Sequence, residues 1–152
     1  VRQEIYKIID FWQRKGIKGF RMDVINLIAK KEGLPSYNAE KKGYQFAKDY
    51  IVSLDKSHAY IQEMYEKVLK SDEHLYVGEG VLINPLSASH YCGYQSHELD
   101  SMFHFDLALI GCGPLGKYDF RKLYKWTIRE FKDIYFKWQI ASVEKQFSLG
   151  NF

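Results

Sequence analysis

The stretch "GIKGFRMDVINLIAKKEGLP", residues 16–35, decides how the rest of the chain is read. Ile17 to Leu27 reads as a buried strand running into a turn, with the strand itself over 17–25. Arg21 and Asp23 interrupt it, alternating with Phe20, Met22 and Val24. An unpaired buried carboxylate costs several kcal/mol, so such groups are paired, neutralised or functional. Period-2 alternation puts Arg21 and Asp23 on one face, close enough for the cation to keep the acid ionised and oriented.

Outward from this strand the elements alternate. Before it, "RQEIYKIIDFWQRK" places Ile5, Ile8, Ile9 and Trp12 on one helical stripe, stopped by Gly16. After it, residues 31–52 read as a long loop of the kind that carries function. A second helix is expected from Asp55 to Lys70, with Ile61, Met64, Tyr65 and Val68 on its apolar face. "HLYVGEG", 74–80, reads as a strand, residues 84–95 as a short irregular helix, and "DSMFHFDLALI", 100–110, as a third strand. Thr127 and Glu130 form a capping box with Trp126 and Phe131 as its staple, opening a helix that carries Ile134, Tyr135 and Trp138. "FSLGNF", 147–152, reads as a fourth strand. Helix–strand alternation without repeats argues for a parallel α/β sheet with crossover helices, either doubly wound or part of an eight-stranded barrel.

In both architectures chemistry sits at the C-terminal strand ends, where Asp23 and Glu79 fall. Taken singly, Asp23 reads as well as a structural residue, either a helix cap or the partner of Arg21, as it does as a catalytic group, and Glu79 reads as a loop residue between two glycines. Taken together, two carboxylates opening on the same face are what glycoside hydrolysis requires. Gly78 and Gly80 would let a bulky ligand approach the backbone beside Glu79.

Composition narrows the alternatives. The 152 residues are 46 % hydrophobic and 27 % charged, the balance of a globular domain. A net charge of +3, with no Lys/Arg block, gives no nucleic-acid footprint. No apolar run reaches the ~18 residues of a membrane span. Cys92 and Cys112 have no CxxC spacing, so the default is a reducing, cytoplasmic setting without metal or disulfides. The five histidines show no i, i+4 pair and no His-Glu-x-x-His. His104, beside Asp106, is either a satisfied core histidine or a wall of the pocket. Gly111, Gly113 and Gly116 spell a formal GxGxxG, but bulky charged residues follow, so it reads as a flexible loop and no cofactor is called for. A dinucleotide oxidoreductase would rest on those glycines alone.

At these residues the chain resembles a known family. "GFRMDVINLI" is similar to the fourth-strand segment of the α-amylase superfamily of glycoside hydrolases, and "YVGEG" to its fifth-strand segment. "ELDSMFHFDL" resembles the sixth-strand region and "KWTIREFKDIYFKWQ" the helix after it. The oligo-1,6-glucosidase group, with dextran glucosidases, trehalose-6-phosphate hydrolases and sucrose isomerases, is the nearest part of that superfamily. The resemblance implies a partial (β/α)8 barrel, from its third helix to its seventh strand, spanning residues 1–152. It implies Asp23 as nucleophile, Glu79 as proton donor and Arg21 as the arginine touching the nucleophile. Val24 matches the position that crowds the acceptor site, where valine accompanies α-1,6 linkages. Gly80 stands where the family commonly has methionine and joins Arg21 and Val24 as a substrate-binding position.

The implied activity is a retaining α-glucosidase acting on short oligosaccharides such as isomaltose, with α-1,4 bonds as a further target. The group's trehalose-6-phosphate hydrolases and sucrose isomerases remain alternatives, as does an inactive amylase-like scaffold. The family's third carboxylate, in an Asn-His-Asp motif, would follow Asn151-Phe152, and its calcium segment would precede Val1. The chain therefore reads as a piece of a longer polypeptide that completes the barrel. By itself it is expected to be inactive.

Overall fold

The computed structural model describes residues 1–38, 40–71, 73–113 and 124–149. Helix α1, Arg2–Arg14, leads into strand β1, Gly19–Met22. Helix α2, Asp55–Met64, continues as a π-helical stretch, Tyr65–Leu69, and returns the chain to strand β2, Leu75–Glu79. Helix α3, Pro85–Cys92, crosses to strand β3, Ser101–Phe103, and helix α4, Ile128–Glu144, follows. Asn84 and Thr127 each close a capping box with the residue three positions on, Ser87 and Glu130, so α3 and α4 begin where side chains satisfy their first amides.

The three strands form one parallel sheet in sequence order. Gly19 lies opposite Leu75 and Met22 opposite Gly78, while Val77 lies opposite Ser101 and Glu79 opposite Phe103. This register brings the ends of β1 and β2 level. It also sorts the side chains, because alternate residues face opposite ways. Phe20 stacks on Tyr76, whose hydroxyl takes a hydrogen bond from Gln13 of α1 at 2.6 Å, so these residues face the helices. Arg21, Val77 and Glu79 face the other way.

The core lies between sheet and helices: Ile61, Met64 and Leu69, then Ala88, Tyr91 and Cys92, then Trp138 and Ala141, closing on Tyr76, Met102 and Phe147. Phe20 and Met22 pack against it. The helix stripes are only half used. On α1 Ile9 is buried, but Ile5, Ile8 and Trp12 are exposed. On α4 Trp138 is buried and Ile134 packs on the core, whereas Phe131 and Tyr135 remain exposed.

Several expected spans contract. The strand expected over 17–25 is Gly19–Met22, because Asp23 turns out of it and Val24 takes a left-handed backbone (φ 39°). The third strand ends at Phe103; beyond it Leu109, Ile110 and Cys112 donate to carbonyls three or four residues back, which is turn geometry. Of the expected fourth strand, residues 147–149 are described and make two isolated bridges, Phe147 to Gly93 and Leu149 to Met102. The others, 150–152, lie outside the described residues, as does Gly116 of the glycine pattern.

Candidate active site

β1 and β2 deliver their last residues side by side, and the polar groups of the opening motif meet there. The Arg21 guanidinium spans both acids. Its Nη1 donates to Asp23 Oδ1 at 2.5 Å and its Nη2 to Glu79 Oε2. Glu79 Oε2 also accepts the backbone N–H of Val24 at 3.2 Å. Cζ of Arg21 sits 5.6 Å from the centre of the Phe103 ring on β3, within cation–π reach. Three adjacent strands thus contribute to one cluster at their C-terminal ends.

Burial differs sharply between the acids. The Glu79 side chain is 9 % exposed, that of Asp23 70 % and that of Arg21 52 %. Strand burial was expected to hold Asp23, and this is corrected: Asp23 lies one residue past the strand, on the open side of the sheet, and Arg21 holds it. The buried carboxylate is Glu79, carried inward by the last residue pair of β2 and β3. Charge-assisted contacts of this kind are shorter and stronger than neutral ones.

The glycines flanking Glu79 have a packing task. A Cβ at Gly78 would lie 2.3 Å from Met102 Sδ and 2.6 Å from Leu99 Cδ1. At Gly80 it would lie 2.2 Å from Ile83 Cδ1 and 2.9 Å from Met102 Cε. Both bare faces are filled by core side chains, so these glycines let Met102, Leu99 and Ile83 close against β2.

His104 is a packed residue. Its ring stacks on Trp138 at 3.8 Å and 4°, its Nδ1 accepts from the Asp106 amide at 3.1 Å, and burial lowers its pKa. Asp106 in turn accepts from Trp138 Nε1 at 2.8 Å and Lys137 Nζ at 3.1 Å. Among the described residues no three His, Cys, Asp or Glu side chains gather as a metal site, and no helix is long and apolar enough to cross a membrane.

Two features escaped the sequence reading. Asn26, fully buried, lies in the quoted motif, where a polar residue between Ile25 and Leu27 was the available signal. Glu98 is buried with His58 Nδ1 and Gln62 Nε2, each at 3.0 Å from its Oε1. Its partners lie 36 and 40 residues away, a separation no local pattern reveals. They edge a cavity of about 710 Å³ on the helix side of the sheet, apart from Arg21, Asp23 and Glu79.

Residues 1–151 match the family described as "Alpha amylase, catalytic domain". The chain belongs to the alpha-amylase family. Within that family it is 38 % identical over 141 residues to the oligo-1,6-glucosidase of Bacillus cereus, covering 93 % of this chain and 25 % of that protein. The crystal structure of Bacillus licheniformis trehalose-6-phosphate hydrolase superposes with a TM-score of 0.84 at 26 % identity, over 98 % of this chain and 25 % of that one. Isomaltulose synthase from Erwinia rhapontici NX5 gives 0.82 at 25 % identity, over 100 % and 26 %. This alpha-amylase-family chain therefore spans about a quarter of the length of the relatives it matches, and its three parallel strands are part of the barrel fold of those neighbours.

Proposed function

We propose that this chain carries the two principal catalytic groups of a retaining α-glucosidase acting on α-1,6 bonds of short gluco-oligosaccharides. One observation carries the reading: a single guanidinium, Arg21, holds Asp23 and Glu79 at the level ends of adjacent parallel strands. Bridging by one guanidinium keeps the two carboxyl groups near each other, and we take their working separation to be the roughly 5–5.5 Å of retaining enzymes, not the roughly 6.5–9.5 Å that admits an inverting water.

The chemistry follows from the placement. Asp23 is exposed on the open face, where a sugar ring can reach it, and acts as the nucleophile. Glu79, set deeper, donates a proton to the glycosidic oxygen as Asp23 attacks the anomeric carbon, breaking the C–O bond and forming a glucosyl ester. Glu79, now a carboxylate, removes a proton from the water that cleaves the ester, restoring both acids. Substrate enters between the acids, so Arg21 releases Glu79 and remains on Asp23. Val24, beside Asp23, narrows the acceptor side. We take residues 1–152 as the stretch from the third helix to the seventh strand of the barrel. The exposed apolar faces of α1 and α4 support further polypeptide packing there.

Trehalose 6-phosphate is the second reading, favoured by the 0.84 TM-score to a hydrolase of that sugar. The test is the full-length protein assayed on isomaltose, maltose, sucrose and trehalose 6-phosphate, with the first-formed anomer followed by NMR. We expect α-glucose first and the highest kcat/KM on isomaltose. Asp23→Asn and Glu79→Gln should each abolish turnover of these four sugars, whose leaving groups all need a proton. A β-anomer, or activity surviving both substitutions, overturns the assignment.

A further inference from the structure

The pairing of β1 with β2 ends at Met22 and Gly78, yet the two turns that follow still have to be held at a fixed distance. Asn26 does this with its side chain. Its Nδ2 donates to Val81 O at 2.8 Å and its Oδ1 accepts from Val81 N at 3.0 Å, so one amide takes both backbone groups of Val81, as a neighbouring strand would. The same Nδ2 reaches Ser53 Oγ at 3.2 Å, and the Asn26 carbonyl accepts from Ser53 N at 2.9 Å. Asn26 follows Asp23 by three residues and Val81 follows Glu79 by two, so the clamp joins the two turns that carry the acids.

Those turns need a clamp. Val24, Ser53 and Leu82 all have left-handed backbones, at φ 39°, 48° and 55°, without being glycine. Residues held there cost about 1–3 kcal/mol each and persist only where their surroundings over-determine them. Asn26 is fully buried with every side-chain polar atom bonded, which makes it a rigid spacer.

We infer that Asn26 is a positioning residue that fixes Glu79 relative to Asp23 by replacing the next rung of the β1–β2 ladder with its own amide. It touches no substrate. This rests on the proposed roles of the two acids. A displacement near 1 Å at a reacting group costs about 10²-fold in rate. The displaced group here is the proton donor, so the defect should grow as the leaving group becomes more basic.

The experiment uses the full-length protein with isomaltose, whose leaving alcohol needs a proton, and para-nitrophenyl α-glucoside, whose leaving phenolate needs little. Asn26→Ala should lower kcat/KM on isomaltose by about 10–100-fold, whereas kcat/KM on the aryl glucoside, which reports glucosylation alone and not the water step both substrates share, should lose far less. Asn26→Asp keeps the size of the side chain but sets an oxygen against Val81 O, and it should show the same split if the alanine variant folds poorly. Ser57→Ala is the stability control: its buried hydroxyl accepts from Ala29 N at 3.3 Å on α2, and its loss should affect both substrates equally. Glu79→Gln gives the full leaving-group split for comparison. Equal losses on both substrates in folded Asn26 variants, or no loss, overturn the inference while leaving the acids' roles intact. Activity unaffected by Asp23→Asn and Glu79→Gln overturns both.

Discussion

The backbone N–H of Val24 donates to Oε2 of Glu79 at 3.2 Å, across the gap between the ends of two adjacent strands. Val24 reaches it from a left-handed conformation, φ 39° and ψ 41°, which a β-branched residue rarely adopts. The residue whose side chain we propose to narrow the acceptor side therefore also ties down the buried acid with its backbone.

Val24→Ala separates these two contributions. Alanine keeps the N–H and removes two methyl groups, so Glu79 retains its contact while the acceptor side widens. The ratio of kcat/KM for maltose over isomaltose should rise by an amount equivalent to about 1–3 kcal/mol. An unchanged ratio in the full-length protein would show that Val24 does not select the linkage.

Arg21→Lys tests the shared guanidinium. A lysine is a single point charge without a planar fork, so it can hold one carboxylate but not both in this geometry. We expect kcat/KM to fall about 10²-fold, the scale for losing one preorganised electrostatic contact. The melting temperature should change little if the lysine keeps buried Glu79 and gives up only exposed Asp23, and should fall together with kcat/KM if Glu79 is left without its cation. A large drop in Tm with unchanged kcat would assign Arg21 to the scaffold instead.

Gly78→Ala tests the packing role of the β2 glycines. The new methyl would meet Met102 Sδ at 2.3 Å and Leu99 Cδ1 at 2.6 Å in a well-filled core. Overpacking of this kind costs about 1–3 kcal/mol, read as a lowered denaturant midpoint. Gly78→Ala should cost less in a Met102→Ala background than in the parent, read as a double-mutant cycle, because the truncated neighbour leaves room for the methyl. A neutral Gly78→Ala would mean that the core beside β2 is loose.

The alkaline limb of stability follows from Cys92 and Tyr91. Burial pushes the Cys92 thiol up to about 12, partly offset by backbone hydrogen bonds, and pushes the Tyr91 hydroxyl up to about 12 as well. Both neutral forms are favoured in the fold, so their stabilisation is complete below the ordinary values of 9.0 and 10.0 and is lost as pH rises through about 12. Stability measured by denaturant should decline over that window. Alkylation at pH 8 should label the partly exposed Cys112 and spare buried Cys92 until the chain unfolds. Rapid labelling of Cys92 in folded protein would refute its burial.

Much of the architecture was legible because it is local. The Thr127–Glu130 box, with Trp126 and Phe131 beside it, is a four-residue pattern and opens α4 where expected. The order of helices and strands follows from hydrophobic period. Strand lengths were overestimated because an apolar run such as "SMFHFDLALI" satisfies a strand pattern and a turn-and-pack pattern equally, and the turn hydrogen bonds past Phe103 and the His104 stack on Trp138 separate them. The stripes of α1 and α4 were legible as apolar faces, but what each one covers is a long-range matter.

The sequence by itself determined which side chains bring charge to the strand ends: Arg21, Asp23 and Glu79 were conspicuous because charge inside an apolar run is costly. Only the tertiary structure decided how that charge is distributed. The register Met22 opposite Gly78 makes the strand ends level, so one guanidinium reaches both acids, with Glu79 buried and Asp23 exposed. It also decided the meaning of Gly78 and Asn26, whose partners Met102 and Val81 lie in another strand and another turn. Hydrogen bonding and close packing between segments depend on separations that no local periodicity encodes.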